Sequence, residues 1–129
     1  MTDTLLLDTC ALLWLASGSR NLSKSARAAI AEAQVVYVSP VSAWEIAVKA
    51  AKGKIVLPCP AREWFDAVVR LYDIDVLKLS CDDMMRAAEL PWHHEDPADR
   101  FIIATALKNG FTVVTSDGNF SKYGVKVLA

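Results

Sequence analysis

The chain has 129 residues, of which 53% are hydrophobic and 22% are charged. These values exclude a disordered chain and predict one domain, residues 1–129, that folds without disulfides or a structural metal. Three cysteines without C-x-x-C spacing indicate a reducing compartment, and no stretch approaches the ~20 apolar residues of a membrane span. We therefore expect a cytoplasmic protein with no membrane contact. The net charge of −1 excludes a strongly basic nucleic-acid-binding protein, so any such contact must depend on local charge.

Short β-rich runs alternate with helical stretches in the first half of the chain. The pattern predicts a strand over 4–7, a helix over 9–15 and a strand over 35–38. Between them, Ser23 is typical of an N-cap, for a helix that runs to residue 33. Ser39 and Pro40 then open a further helix, which Gly53 ends.

The same alternation continues in the second half. Helices are predicted over 60–72, from Ser80, and from Asp96 to Gly110, with strands over 74–77, 112–115 and 125–128. Strands separated by helices imply right-handed crossovers and parallel pairing. The expected fold is α/β, a three-layer α/β/α sandwich around a mainly parallel sheet.

Four acidic residues follow strands or open helices where such a sheet would place them together. Asp8 comes directly after the first strand, and Asp117 follows the strand over 112–115. Glu45 lies in the second turn of the helix after residues 35–38, and Asp99 lies in the first turn of its helix. Because sites in open parallel sheets form at the carboxyl ends of the strands, we expect all four at one edge.

Each acid taken alone also has a simpler structural explanation. Asp8 could act only as a helix N-cap, and Asp117 lies in an obvious turn. Glu45 could form an ordinary helix pair with Lys49, four residues later. For Asp96, which precedes a proline, we expect helix capping as the main role.

Taken together, the acids indicate a metal site. Asp99 shares the apolar side of its helix with Ile102 and Ile103, where an unpaired carboxylate is costly. At ~5 Å and an effective dielectric near 20, each carboxylate pair repels by about 3 kcal/mol. The cluster therefore takes up protons or holds a divalent cation. Oxygen ligands favour Mg²⁺ or Mn²⁺, and such a site leaves room for a phosphate.

Four segments occur in a family-like order and spacing: LLLDTCALLW (5–14), SPVSAWEIA (39–47), DPADRFIIA (96–104) and TSD (115–117). Together they resemble the PIN domains, and within them the VapC toxins of bacterial toxin–antitoxin pairs, over nearly the whole chain. The family's four acids match Asp8, Glu45, Asp99 and Asp117. The resemblance implies an Mg²⁺- or Mn²⁺-dependent endoribonuclease, an RNA substrate, inhibition by a small antitoxin protein and a homodimer. We expect the antitoxin to lay an apolar helix in a groove.

On this hypothesis the four acids are the catalytic residues, and Asp8, Asp99 and Asp117 bind the metal. Asp8 is the expected central ligand, because the end of a strand is the most rigid of the positions. Asp99 binds directly or through water. Glu45 and Asp117 hold waters, and one of them accepts the proton of the attacking water.

Supporting roles are expected for residues beside these acids. Thr9 and Ser116 are predicted to orient waters or carboxylates or to act as simple caps, and Asp96 stands three residues before Asp99. Arg100 is predicted to balance the acidic charge, contact a phosphate or pair with an acid. RNA contacts are assigned to local basic residues: Lys49, Lys52, Lys54 and Arg100.

Neighbouring histidines and other acidic folds supply the competing interpretations. We assign His93 and His94 no metal or catalytic role, because adjacent loop histidines rarely face one ion and no further histidine completes a set. A phosphoryl-accepting receiver domain needs paired acids after its first strand, and a haloacid-dehalogenase-like phosphatase needs Asp-x-Asp, where Cys10 stands. A binding module that recognises an antitoxin or RNA without turnover stays open.

Overall fold

A parallel sheet of five strands forms the centre of the protein. The structure is a computed structural model and describes residues 4–129. The strand order is β3-β2-β1-β4-β5, and every neighbouring pair is parallel. The strands are β1 (Thr4–Leu7), β2 (Val35–Val38), β3 (Ile74–Val76), β4 (Thr112–Val114) and β5 (Lys126–Leu128).

Six α-helices connect and cover these strands. They are α1 (Thr9–Ser17), α2 (Lys24–Glu32), α3 (Pro40–Ala51), α4 (Ala61–Leu71), α5 (Cys81–Glu89) and α6 (Pro97–Asn109). The predicted caps are confirmed: Ser23, Ser39 and Asp96 each accept a backbone N–H at the start of a helix. A 3₁₀ turn at Phe120–Tyr123 was not predicted. Within residues 4–129, no helix combines the length and the apolar character that a membrane crossing requires.

The two faces of the sheet carry separate cores, as the three-layer prediction requires. Leu5 and Leu7 of β1 pack into the core that α1, α2 and α4 cover. Leu6 points to the opposite face and packs with Ile102 and Ile103 of α6. All five side chains are fully buried, and each contributes about 1.5–3 kcal/mol to folding. The predicted α/β/α sandwich is confirmed.

The central position of β1 brings the ends of three strands together. In the register of the sheet, Leu7 of β1 pairs with Val38 of β2 on one side and with Val114 of β4 on the other. The backbone N–H of Asp8 continues this pattern by donating to the Val114 carbonyl at 3.1 Å. Side chains that follow these strands therefore meet at one edge of the sheet, which is where the candidate site lies.

Candidate active site

Asp8 lies at the end of β1 and caps α1. Its Oδ1 accepts the Ala11 N–H at 2.7 Å, and the residue is only 6% exposed. Burial raises the pKa of the Asp8 carboxyl, and the charges of Asp117 and Glu45 raise it further, while hydrogen bonds from Thr115 and Ala11 oppose the rise. Asp8 is thus both the predicted N-cap and a member of an acidic cluster, because the cap uses only part of its hydrogen-bonding capacity.

Asp99 occupies the first turn of α6 and faces the same cluster. Its side chain is 21% exposed. Burial is the main cause that raises the pKa of Asp99 to about 7, and the charges of Asp96, Asp8 and Glu45 add to it, while His94 lowers it. Burial and the neighbouring carboxylates therefore outweigh the favourable effect of His94 on the ionised form of Asp99.

Asp117 follows β4 in the loop that leads to the 3₁₀ turn. Its N–H donates to Thr115 Oγ1 at 3.1 Å, and its Oδ1 accepts the Asn119 N–H at 2.9 Å. Burial raises the pKa of Asp117, but hydrogen bonds from Asn119 and His94 outweigh that effect and hold the pKa below its ordinary value. Asp117 therefore stays ionised beside Asp99, which holds its proton more tightly.

Glu45 reaches the cluster from the second turn of α3. Its side chain is largely buried, at 16% exposure, and its Oε2 lies 3.6 Å from Lys49 Nζ. The helix pair with Lys49 is therefore present, but it does not remove Glu45 from the site, because the Glu45 charge acts on Asp8 and Asp99. The structure thus brings all four acids that the sequence singled out to one edge of the sheet.

His94 joins this cluster, which the sequence analysis did not predict. Its Nε2 lies 2.9 Å from Asp99 Oδ2 and 2.9 Å from Asp117 Oδ2. The argument against His93 and His94 considered only an ion that several histidines bind together. In the structure, the single imidazole of His94 lies beside two carboxylates instead. The available signal was its position two residues before the Asp96 cap, in the segment that enters the helix of Asp99.

Thr115 is the second residue that the sequence analysis missed. Its side chain hydrogen bonds to Asp8, and the same hydroxyl oxygen accepts the Asp117 N–H. One buried hydroxyl therefore links the acid of β1 to the acid after β4. The feature that points to Thr115 is the pairing of β1 with β4. Thr115 directly follows Val114, the register partner of Leu7, and therefore lies beside Asp8.

The structure corrects the role predicted for Arg100. The residue is 3% exposed, and its guanidinium donates to the backbone carbonyls of Ala88, Leu90, Pro91 and His94. It also lies over the Trp92 ring, 3.5 Å from the centroid. A buried guanidinium must satisfy its donors locally, so Arg100 shapes the segment before α6 and forms no ion pair with the acids in the described part of the chain.

The remaining supporting residues divide between capping and packing. Asp96 caps α6 as predicted, with Oδ1 accepting the Asp99 N–H at 3.1 Å. Thr9 is buried and donates to Ser42 Oγ at 2.9 Å, so it joins α1 to α3 and does not orient a carboxylate directly. Ser116 is exposed, and the hydroxyl that bonds to an acid belongs to Thr115 instead.

The donor set fits a divalent cation. Asp99, Asp117 and His94 each offer a ligand atom, and these atoms lie within 4.8 Å of one another. The charges of Asp8 and Glu45 also act on Asp99. Carboxylate oxygens with access to water suit Mg²⁺ or Mn²⁺. Such a centre can activate water next to an anionic ester.

Comparison with known proteins agrees with this geometry. Residues 5–126 match the family model of the PIN domain. Ribonuclease VapC22 of Mycobacterium tuberculosis is 31% identical over 115 residues, which span 88% of this chain and 87% of that protein. This relationship confirms the predicted family and sets aside the receiver and dehalogenase-like alternatives.

Solved structures share the fold at lower sequence identity. VapBC2 from Rickettsia felis, bound to a promoter DNA fragment, is 13% identical with a TM-score of 0.71, and the match covers 97% of each chain. A toxin–antitoxin complex from Klebsiella pneumoniae is 22% identical with a TM-score of 0.68, covering 97% of this chain and 96% of that one. VapC20 of Mycobacterium tuberculosis, described as a Sarcin-Ricin loop cleaving toxin, is 23% identical with a TM-score of 0.64, covering 94% and 95%. The chain belongs to the PIN domain family, and its relatives there include Ribonuclease VapC22.

Proposed function

We propose that this protein is a divalent-metal-dependent endoribonuclease and the toxin of a toxin–antitoxin pair. The observation that carries the proposal is the convergence of Asp8, Glu45, Asp99 and Asp117 at one sheet edge, with the pKa of Asp99 raised to about 7. A structural role alone does not explain an arrangement that places uncompensated charge in a half-buried site. The ribonuclease relative supports RNA as the substrate.

Each acid has a role that follows from its position. Asp8, Asp99 and Asp117 are the proposed metal ligands, and Asp8 is the most rigid because the α1 cap and Thr115 both hold its carboxylate. The cation, Mg²⁺ or Mn²⁺, supplies charge neutralisation and water activation when it is bound. Glu45 lies on a separate helix and accepts the proton as the water oxygen bonds to phosphorus and the bond to the leaving oxygen breaks.

We assign the RNA contacts to exposed lysines that follow Glu45 along the chain. Lys49 pairs with Glu45, whereas Lys52 and Lys54 are exposed at the end of α3, one turn beyond that pair. With Arg100 buried, these lysines are the phosphate contacts that we propose. Contacts of this kind position the chain of an RNA without reading its bases.

The experiment is incubation with total cellular RNA in Mg²⁺ or in EDTA. The wild type is compared with Asp99→Asn, and Asp66→Asn is the matched control because Asp66 is an exposed acid on α4. We expect cleavage with Mg²⁺ by the wild type and by Asp66→Asn, and at least 100-fold slower cleavage by Asp99→Asn, on the order of effects seen for groups acting on the transition state. A wild type that cuts no RNA with Mg²⁺ or Mn²⁺ while still binding a partner would favour the binding module.

Similar structures that are toxin–antitoxin complexes support an antitoxin as the partner of this chain. An open apolar groove lies between α1 and the segment that connects α3 to α4; its lining includes Trp14, Ile55, Val56, Leu57 and Trp64. Val56 is 95% exposed. Exposed apolar side chains of this kind mark protein contacts, and we propose that an antitoxin helix occupies the groove. We also propose a homodimer, with the exposed Trp44 of α3 at an interface.

The groove can be tested separately from the active site. We expect Val56→Asp to weaken binding of the small protein encoded beside this gene, because a carboxylate in an apolar contact is costly to desolvate. RNA cleavage by the free toxin should be unchanged. Unchanged binding by Val56→Asp would place the antitoxin on another surface.

A further inference from the structure

We propose that His94 is a positioning residue of this site, whose Nε2–H group holds the Asp117 carboxylate beside Asp99. The inference rests on the proposed nuclease function and adds a residue to it. Asp99 is carried by α6 and Asp117 by the loop after β4. Two carboxylates on separate elements repel each other, and a donor placed between them opposes their separation.

The hydrogen bonds of the ring determine which nitrogen carries the proton. His94 Nδ1 lies 3.2 Å from the Asp96 N–H and accepts from it. A nitrogen that accepts has no proton of its own, so in the neutral ring the proton lies on Nε2. Nε2 then donates to Asp117 Oδ2 at 2.9 Å. As a donor, this nitrogen has no free lone pair for a metal, which makes His94 a positioning residue instead of a ligand.

The backbone around His94 is held as firmly as the ring. The His94 N–H donates to Tyr123 Oη at 2.9 Å, and the His94 carbonyl accepts from the Arg100 guanidinium at 3.0 Å. Tyr123 Oη also donates to the Pro91 carbonyl at 2.7 Å, and the His94 ring packs edge-on against Phe120. The buried Arg100, which has no role in the acidic cluster, thereby fixes the loop that presents His94.

Asp96, the N-cap of α6, connects His94 to Asp99. Asp96 donates its N–H to His94 Nδ1, and its own Oδ1 accepts the Asp99 N–H. The start of α6 therefore sets the tautomer of His94 and the position of Asp99 together. The Asp117 carboxylate accepts from both Asn119 and His94 and still has lone pairs available for a cation.

His93 provides the matched control. It is the adjacent histidine, its side chain is exposed, and its ring packs edge-on against Tyr123, away from the acids. Four proteins are compared: the wild type, His94→Gln, His94→Ala and His93→Gln. Glutamine retains an N–H donor near the position of Nε2, whereas alanine removes it.

Two measurements test the proposal on the full chain. The first is long-range ¹H–¹⁵N correlation NMR of the histidine rings at neutral pH, without metal and with Mg²⁺. We expect the proton that faces Asp117 to lie on Nε2 of the His94 ring in both samples. An Nε2 that carries no proton, or that binds the metal, would overturn the proposal.

The second measurement is Mn²⁺ affinity by electron paramagnetic resonance, accompanied by RNA cleavage rates. We expect His94→Ala to lose roughly 10–100-fold in both, the usual effect of removing a partner of a metal ligand. His94→Gln should recover most of the loss, and His93→Gln should match the wild type. If His94→Ala behaves like the wild type, or if His94→Gln recovers nothing, the role of His94 is disproved and the nuclease function still stands. If the wild type neither binds Mn²⁺ nor cleaves RNA, both the nuclease function and the role of His94 are disproved.

Discussion

Thr9 Oγ1 donates to Ser42 Oγ at 2.9 Å, in a contact that is fully shielded from solvent. Thr9 follows Asp8 directly, and Ser42 lies three residues before Glu45, so this bond fixes the separation of two acids from different helices. A buried hydroxyl pair is stabilising only while both members are present, because an unpartnered buried hydroxyl keeps its desolvation cost.

We predict that Ser42→Ala lowers the free energy of unfolding by about 1–3 kcal/mol, since it leaves the Thr9 hydroxyl without its partner. RNA cleavage should fall with it, because Asp8 and Glu45 lose their common restraint. Urea denaturation and cleavage rates provide the measurements. The control is Ser17→Ala, an exposed serine at the end of α1. Equal stability of the two variants would contradict the role of the buried pair.

Asp99→Asn should stabilise the metal-free protein in a pH-dependent way. The pKa of Asp99 is about 7 in the folded protein against an ordinary value of 3.8, so between these values the folded state holds a proton that the unfolded state has released. The free energy of unfolding of the wild type therefore falls as pH rises through this window. The Asp99→Asn variant does not lose stability in this way. Above neutral pH we expect its free energy of unfolding to exceed that of the wild type by roughly 1 kcal/mol or more, which corresponds to somewhat under one pKa unit.

Thermal unfolding in EDTA at acidic and at mildly alkaline pH measures this difference. Asp66→Asn on α4 is again the control, and its stability should follow that of the wild type. Adding Mg²⁺ should reverse the order, because a ligand that binds only the folded wild type stabilises it. A difference between Asp99→Asn and the wild type that does not change with pH would show that Asp99 carries no excess proton.

Thr115→Val should move the pH dependence of metal binding. The Thr115 hydrogen bond lowers the pKa of Asp8 against the effect of burial, so the nearly isosteric valine lets that pKa rise. We expect the acidic limb of Mn²⁺ binding to shift to higher pH, because a carboxylate that holds its proton more tightly competes less well for the cation. Thr112→Val, in the strand β4 that directly precedes Thr115, is the matched control. A Thr115→Val profile that superimposes on the control would exclude the link to Asp8.

Arg100→Lys should be strongly destabilising although it conserves charge. A lysine has three donors on one atom and cannot reach the four carbonyls that the guanidinium serves. We expect a loss of about 2–4 kcal/mol in the free energy of unfolding, typical of a broken buried polar network. Arg86→Lys, on the exposed surface of α5, should change stability by under about 0.5 kcal/mol. If Arg100→Lys changed stability as little as Arg86→Lys does, the four hydrogen bonds of the Arg100 guanidinium would not be what holds this segment.

The strand-end acids were predictable because local pattern and sheet topology agree. Leu5, Leu6 and Leu7 specify a buried central strand, and this placement puts Asp8 at the edge whatever the details of the loops. Pro97 fixes the start of α6 and hence the first-turn position of Asp99. These features depend on the periodicity of each element and on right-handed crossovers, both of which sequence carries directly.

The contacts of His94 and Arg100 could not be predicted in the same way. The segment before α6 has no periodicity, and its shape is set by Arg100 donating back to carbonyls up to twelve residues earlier. Arg100 was predicted to balance the acids, contact a phosphate or pair with an acid, because the sequence does not show that its guanidinium is buried and bonded to backbone carbonyls. The orientation of His94 depends on that segment, so it became visible only with the tertiary structure.

Anomalous diffraction from crystals soaked in Mn²⁺ would show whether the acids at this sheet edge bind a divalent cation. We expect one strong peak about 2.0–2.6 Å from carboxylate oxygens of Asp99 and Asp117, with Asp8 in contact directly or through water. The same soak of Asp99→Asn crystals should lose that peak. A wild-type crystal without a peak at this edge, or with its only peak elsewhere, would contradict the claim that these acids gather to hold a divalent cation against an RNA phosphate.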